Sequence, residues 1–171
     1  RYYLIIHMLH FDPIALVSSF PPELGVFFLS MLPVTELRAA IPIGLQIYHL
    51  PVVTTWVLAV VGNLVPTAII LYVMPRIHEI VMRYKIFGTM VTKQLEKAEK
   101  KFHKHYTTYG KIALVLFVGI PLPLTGAWTG SLAAFVFNIR FKEAFPLIAL
   151  GVALSATIVT VITRLAAHVL V

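Results

Sequence analysis

Polar and proline positions divide this chain into two uninterrupted apolar runs and several broken ones. Val52 to Met74 carries no formal charge, and Ala144 to Val171 carries only Arg164 and His168, toward its far end. A helix needs about 20 apolar residues to cross a hydrocarbon core of about 30 Å, so both runs predict membrane-spanning helices. The other apolar stretches are cut into shorter limbs. Leu24 to Leu32 stops at Pro33 and resumes from Glu36 to Tyr48, and Ile112 to Ile120 stops at Pro121 and Pro123 and resumes from Thr125 to Phe137. At about 1.5 Å of rise per residue, such limbs reach roughly 14 to 20 Å. They predict re-entrant hairpins that reach the middle of the membrane and turn back.

The two breaks share a Pro-x-Thr triplet, Pro33-Val-Thr35 and Pro123-Leu-Thr125. Superposing Pro33 on Pro123 puts Ala40 on Gly130 and leaves Gly62 one place from Gly151. The pattern is a hairpin-plus-span unit repeated after about 90 residues, as in transporters built from internal repeats. Two unrelated proline-broken helices are the simpler alternative. The whole chain, 1–171, reads as one membrane domain. Within it lie an N-terminal helix (1–20), repeat 1 (21–75), a basic linker (76–110) and repeat 2 (111–171). Residues 1–20 fit either a spanning or an interfacial helix, because His7, His10, Asp12 and Pro13 interrupt them. The chain starts at Arg1 rather than methionine, so we expect residues upstream.

Composition agrees with a membrane protein, with 59% hydrophobic and 12% charged residues. The net charge of +7 is concentrated in one segment: nine Lys and Arg lie between Arg76 and Lys111, against Glu79, Glu96 and Glu99. That location marks a cytoplasmic loop rather than a nucleic-acid surface. With the linker inside, the first hairpin opens outward and the second inward, so the repeats are inverted. Ile77, Val81, Tyr84, Phe87, Val91, Leu95, Ala98, Phe102 and Tyr106 recur every three or four residues, which predicts an amphipathic helix. It fits the membrane surface, with its basic face on anionic lipid, or the surface of another subunit.

No cysteine, Gly-rich phosphate loop, Ser/His/Asp spacing or zinc-helix motif is present, and His103-Lys-His105 has no third ligand nearby. We therefore expect no catalytic residues, no metal and no cofactor. The chemistry-bearing positions are Glu36 and Arg38, at the depth where ionisable groups are costly and usually functional. We expect the Thr35 hydroxyl to cap the second limb, with Glu36 in its first turn. There the helix dipole favours the ionised carboxyl and desolvation the protonated one, a balance suited to carrying a proton. Burial as a structural pair is the alternative, although residues two apart do not face each other on a regular helix.

Thr125 is expected to cap in the same way, without a charge after it. Two half-helix N-termini meeting at mid-depth would suit an anion. Pro33, Thr35, Pro42, Pro121, Pro123, Thr125, Gly126, Trp128 and Gly130 are the expected tip and substrate-binding residues. Gly126-x-x-x-Gly130, echoed by Ala40-x-x-x-Gly44, reads first as close helix packing. Asn63, between Gly62 and Pro66, is either cavity-lining or a hydrogen bond at a kink.

The segments Leu32-Pro-Val-Thr-Glu-Leu-Arg-Ala-Ala-Ile-Pro-Ile-Gly44 and Ile120-Pro-Leu-Pro-Leu-Thr-Gly-Ala-Trp-Thr-Gly130 resemble the signature segments of the Putative small multi-drug export protein family, over a region from about Leu24 to the C-terminus. That family is similar in turn to the DedA/VTT (SNARE-associated) superfamily. The resemblance implies inverted repeats with two re-entrant hairpins and translocation of lipids or lipid carriers. It also implies an arginine motif in the second hairpin, where Leu122 to Ser131 has no charge. We expect a small proton- or ion-coupled exporter of an amphiphilic or anionic lipid-like substrate, in a prokaryotic cytoplasmic membrane. Its partners are membrane lipids and a second copy of the chain. A passive lipid scramblase and a non-transporting membrane scaffold are the alternatives.

Overall fold

The two charge-poor runs form the two longest helices of the computed structural model, which describes residues 20–82, 106–122 and 125–169. The expectations for residues 1–19, for the basic linker over 83–105 and for Pro123 lie outside the described residues. Among those described, the chain is all-helical, with six α-helices and no strand. In order these are α1 (Pro22–Met31), α2 (Glu36–Pro42, continued by a π-helical turn over Ile43–Ile47), α3 (Val52–Met82), α4 (Tyr106–Gly119), α5 (Ala127–Val136) and α6 (Phe141–Val169). Val52–Arg76 of α3 and all of α6 are long and apolar enough to cross a membrane. Helix α3 runs through Pro75 to Met82, and Arg76 is anchored there, its guanidinium 3.7 Å from the centre of the Tyr72 ring and donating to the Tyr72 carbonyl.

Local chemistry sets where the short helices start and stop. Pro22 opens α1 at its first position, where no N–H is needed. Pro42 lacks the N–H that the Arg38 carbonyl would accept, and the chain answers with the wide turn over Ile43–Ile47, closed by Tyr48 N–H to the Ile43 carbonyl. Both second limbs then end on a left-handed residue, His49 (φ 50°) and Asn138 (φ 55°). At each end a following N–H folds back, Leu50 onto the Gly44 carbonyl and Ile139 onto the Ala134 carbonyl, which satisfies carbonyls that a helix end leaves open.

Packing is reciprocal. Helix α1 lies on α3 and α4 on α6, while each second limb crosses over, α2 to α6 and α5 to α3, and α3 and α6 pack on each other. Trp56 Nε1 donates to Thr157 Oγ1 across that last seam. Small residues permit the closest approaches, as lipid supplies no hydrophobic drive between helices. Gly62 of α3 faces the Phe27 carbonyl and Ser30 hydroxyl of α1. Gly151 of α6 faces α4, where an added Cβ would lie 2.7 Å from Val118 Cβ and 2.9 Å from the Val115 carbonyl. Each glycine is the eleventh residue of its long helix, so the two breaks lie at matching heights on α3 and α6. The outward faces stay apolar, with Val53, Ile69, Tyr72, Leu150 and Leu165 all exposed.

Candidate functional site

The two breaks meet. Neither threonine caps the limb that follows it, contrary to the expectation from the triplets. The Thr35 hydroxyl donates backwards to the Leu29 carbonyl, at 2.5 Å. The Thr125 hydroxyl lies 2.9 Å from the Ile120 carbonyl and 2.8 Å from that of Leu122. The proline breaks explain this. Each interrupts its first limb and leaves the last-turn carbonyls without i+4 donors, and the nearest hydroxyl supplies one. The threonines therefore close the ends of α1 and α4.

Glu36 is placed as expected, as the first residue of α2 with Thr35 at the N-cap position. Its carboxylate also reaches across to the start of α5, where it lies directly against Gly126. The N-cap of α5 is Gly126, which has no side chain to cap with, and the Glu36 carboxylate of the first break stands at that helix start. The fit is tight enough to explain the glycine. An added Cβ at Gly126 would overlap Glu36 Oε2 and lie 2.7 Å from its Cδ, and the Gly126 φ of 151° disfavours any side chain. Gly126 thus makes room for the carboxylate rather than for a neighbouring helix. Gly130, the other half of that small-residue pair, does pack against a helix, facing Val118 of α4.

Glu36 has a φ of 44°, a left-handed conformation that glutamate seldom adopts and that typically costs about 1–3 kcal/mol. Strain of this kind persists where surrounding contacts over-determine it. It also removes Glu36 from the regular helical line, so the i,i+2 restriction does not hold and Arg38 Nη2 comes within 3.7 Å of Glu36 Oε2. The same Nη2 reaches Thr125 Oγ1 at 3.4 Å. A fourth strand of the junction runs the other way, with Trp128 Nε1 donating to the Met31 carbonyl at 3.1 Å. Glu36 is 7% exposed and Arg38 is partly buried, with its Nε unpartnered among the described residues.

The structure thus brings Thr35, Glu36, Arg38, Thr125, Gly126 and Trp128 to one junction. Pro33 and Val34 face outward at the first break, Val34 at 80% exposure, while Pro121 is half-buried at the second and Pro42 lies at the far end of α2. Asn63 is fully buried on α3, with both amide atoms unpartnered. Sequence reasoning missed Met31 and Leu29, which act through backbone carbonyls, and the buried hydroxyls of Tyr48 and Thr55. The need of every helix end for hydrogen-bond partners was the available signal for the first two. Among the described residues no group of three or more His, Asp or Glu is placed to hold a metal.

Residues 36–158 match the family described as Putative small multi-drug export protein. The chain belongs to that family. The matched region begins at Glu36 and takes in the second limb of the first break, all of the second break and most of α6. Membership in an export family, together with two apolar helices of spanning length, makes this a membrane protein. No curated protein and no solved structure matches it.

Proposed function

We propose that this export-family protein is a small secondary transporter whose gate is the junction between the two breaks. The observation that carries the reading is the Glu36 carboxylate at the start of α5 beside Arg38. A helix N-terminus and an arginine form a site for an anion, and here the protein supplies the anion itself. Two events release it: a proton on Glu36, which cancels the attraction, or an incoming anionic group that takes its place. Either one frees the hairpins from each other. Coupling then amounts to competition between Glu36 and the substrate for one positive site, and the substrate class is an amphiphile with an anionic or strongly polar head.

The finer architecture belongs to the same reading. Breaks at matching heights on the long helices, away from their ends, support re-entrant hairpins, and the crossed packing of α2 and α5 supports two inverted repeats. Irregular backbone at membrane depth requires protein or water beside it, so the exposed Pro33 and Val34 face a water-filled path or a second copy.

Proteoliposomes test this. With Glu36→Gln, the side chain keeps its size and polarity but no proton is exchanged, and proton-gradient-driven export of a fluorescent anionic amphiphile is expected to fall about 100-fold, within the range for loss of a positioned proton carrier. Export that keeps its full pH dependence in the variant removes Glu36 from coupling. Rapid equilibration of fluorescent lipids without any gradient replaces the transporter with a scramblase.

A further inference from the structure

Asn63 is the one fully buried amide among the described residues, and both its donor and its acceptor atom lack partners there. It stands next to Gly62, level with the first break, and seven residues after Trp56. Seven residues return a helix to within about 20° of the same direction, so Asn63 shares the stripe of α3 on which Trp56 reaches Thr157 of α6. That is the central seam, onto which α2 and α5 also cross. Pro66, lacking an N–H, adds an acceptor beside it by leaving the Gly62 carbonyl without its i+4 donor.

Buried polar groups in folded proteins are paired nearly without exception, and one left unpaired is costly. Asn63 has no partner among the described residues, so its amide is open to one from outside them. Its chemistry follows from what is unpaired, since a primary amide both donates and accepts. A phosphate or carboxylate only accepts and would leave Oδ1 bare; an ammonium only donates and would leave Nδ2 bare. One hydroxyl answers both. We infer that Asn63 is a specificity residue of the transport site, taking a hydroxyl-bearing portion of the substrate's polar head, while Arg38 and the start of α5 take its charge. This rests on the transporter reading above and adds the substrate class: an anionic amphiphile whose head also carries hydroxyls.

Two short-chain lipids of equal charge separate the roles, dihexanoyl phosphatidylglycerol with head-group hydroxyls and dihexanoyl phosphatidylethanol without. Binding to the detergent-purified full chain is followed by Trp128 fluorescence in a Trp56→Phe background. The starting protein is expected to prefer phosphatidylglycerol about tenfold, the equivalent of one net hydrogen bond. Asn63→Leu abolishes the preference, leaves phosphatidylethanol binding unchanged and does not lower Tm without lipid. Asn63→Ser, which keeps a hydroxyl, retains part of the preference, and Arg38→Gln weakens both lipids alike. Equal affinities before mutation, or a preference that survives Asn63→Leu, overturns the inference alone. A lower lipid-free Tm in Asn63→Leu overturns it too, by showing that the amide serves the fold. Binding of neither lipid overturns the anionic-amphiphile reading along with it.

Discussion

The two hairpin segments share a scaffold and divide the chemistry. Each breaks at a proline, closes its first limb with a threonine hydroxyl, ends its second limb on a left-handed residue and lies against the eleventh residue of a long helix, a glycine. The first brings a carboxylate held in a strained backbone, and the second brings an uncharged helix start with a glycine cut to fit it. Neither works alone: the second has no cap of its own, and without the second Glu36 would be a buried acid with only Arg38 for company. The shared frame fixes the geometry, and the different residues placed on it make the site.

The comparison breaks most sharply at Gly126. Gly126→Ala places a Cβ into the Glu36 carboxylate at a φ that alanine avoids, so the carboxylate cannot keep its place at the start of α5. Strain and a lost interaction at the helix start together are expected to cost about 2–4 kcal/mol, seen as a lower Tm, and export is expected to be abolished. Gly130→Ala, which meets only the Val118 side chain, is the matched control with the smaller loss. If the two variants behave alike, the glycine serves packing and the carboxylate is incidental.

Gly62 and Gly151 probe the shared frame. Alanine at either meets backbone carbonyl as well as side chain, at Phe27 and Ser30 or at Val115 and Val118, so overpacking of about 1–3 kcal/mol is expected for each. Equal Tm losses from Gly62→Ala and Gly151→Ala support equivalent roles. A loss confined to one of them dissolves the equivalence. The threonines should then part company: Thr35→Val and Thr125→Val each give up a backbone acceptor for about 1 kcal/mol. Only Thr125 also faces Arg38, so Thr125→Val should slow export more than its Tm loss accounts for.

Local rules reached the scaffold and stopped short of the junction. The charge-free run from Val52 predicts α3 because the requirement is length and apolarity, and Pro33 and Pro121 predict breaks because proline removes a donor. Glu36 and Arg38 were visible as misplaced charge. Two things not legible depend on contacts across some 90 residues of chain, that Glu36 reaches the start of α5 and that Gly126 makes room for it; a third is local, the positive φ that lets an i,i+2 pair form. The threonines were misread for a local reason, since a hydroxyl after a break can serve the limb behind it or the limb ahead, and the triplet is the same in both cases.

The smallest effect concerns a contact in the second segment. Lys111 Nζ lies 2.6 Å from Glu143 Oε2, tying the start of α4 to the start of α6. Both side chains are nearly half exposed, so solvent and salt screen the pair and a surface bridge of this kind contributes about 0–1 kcal/mol. Lys111→Ala is expected to shift Tm by a degree or two at low ionic strength and not at all in high salt, with export unchanged. Because the bridge joins helix starts rather than tips, a clear loss of export in Lys111→Ala would mean that the second segment moves as a body during transport. The asymmetry would then lie in which segment moves as well as in which carries charge.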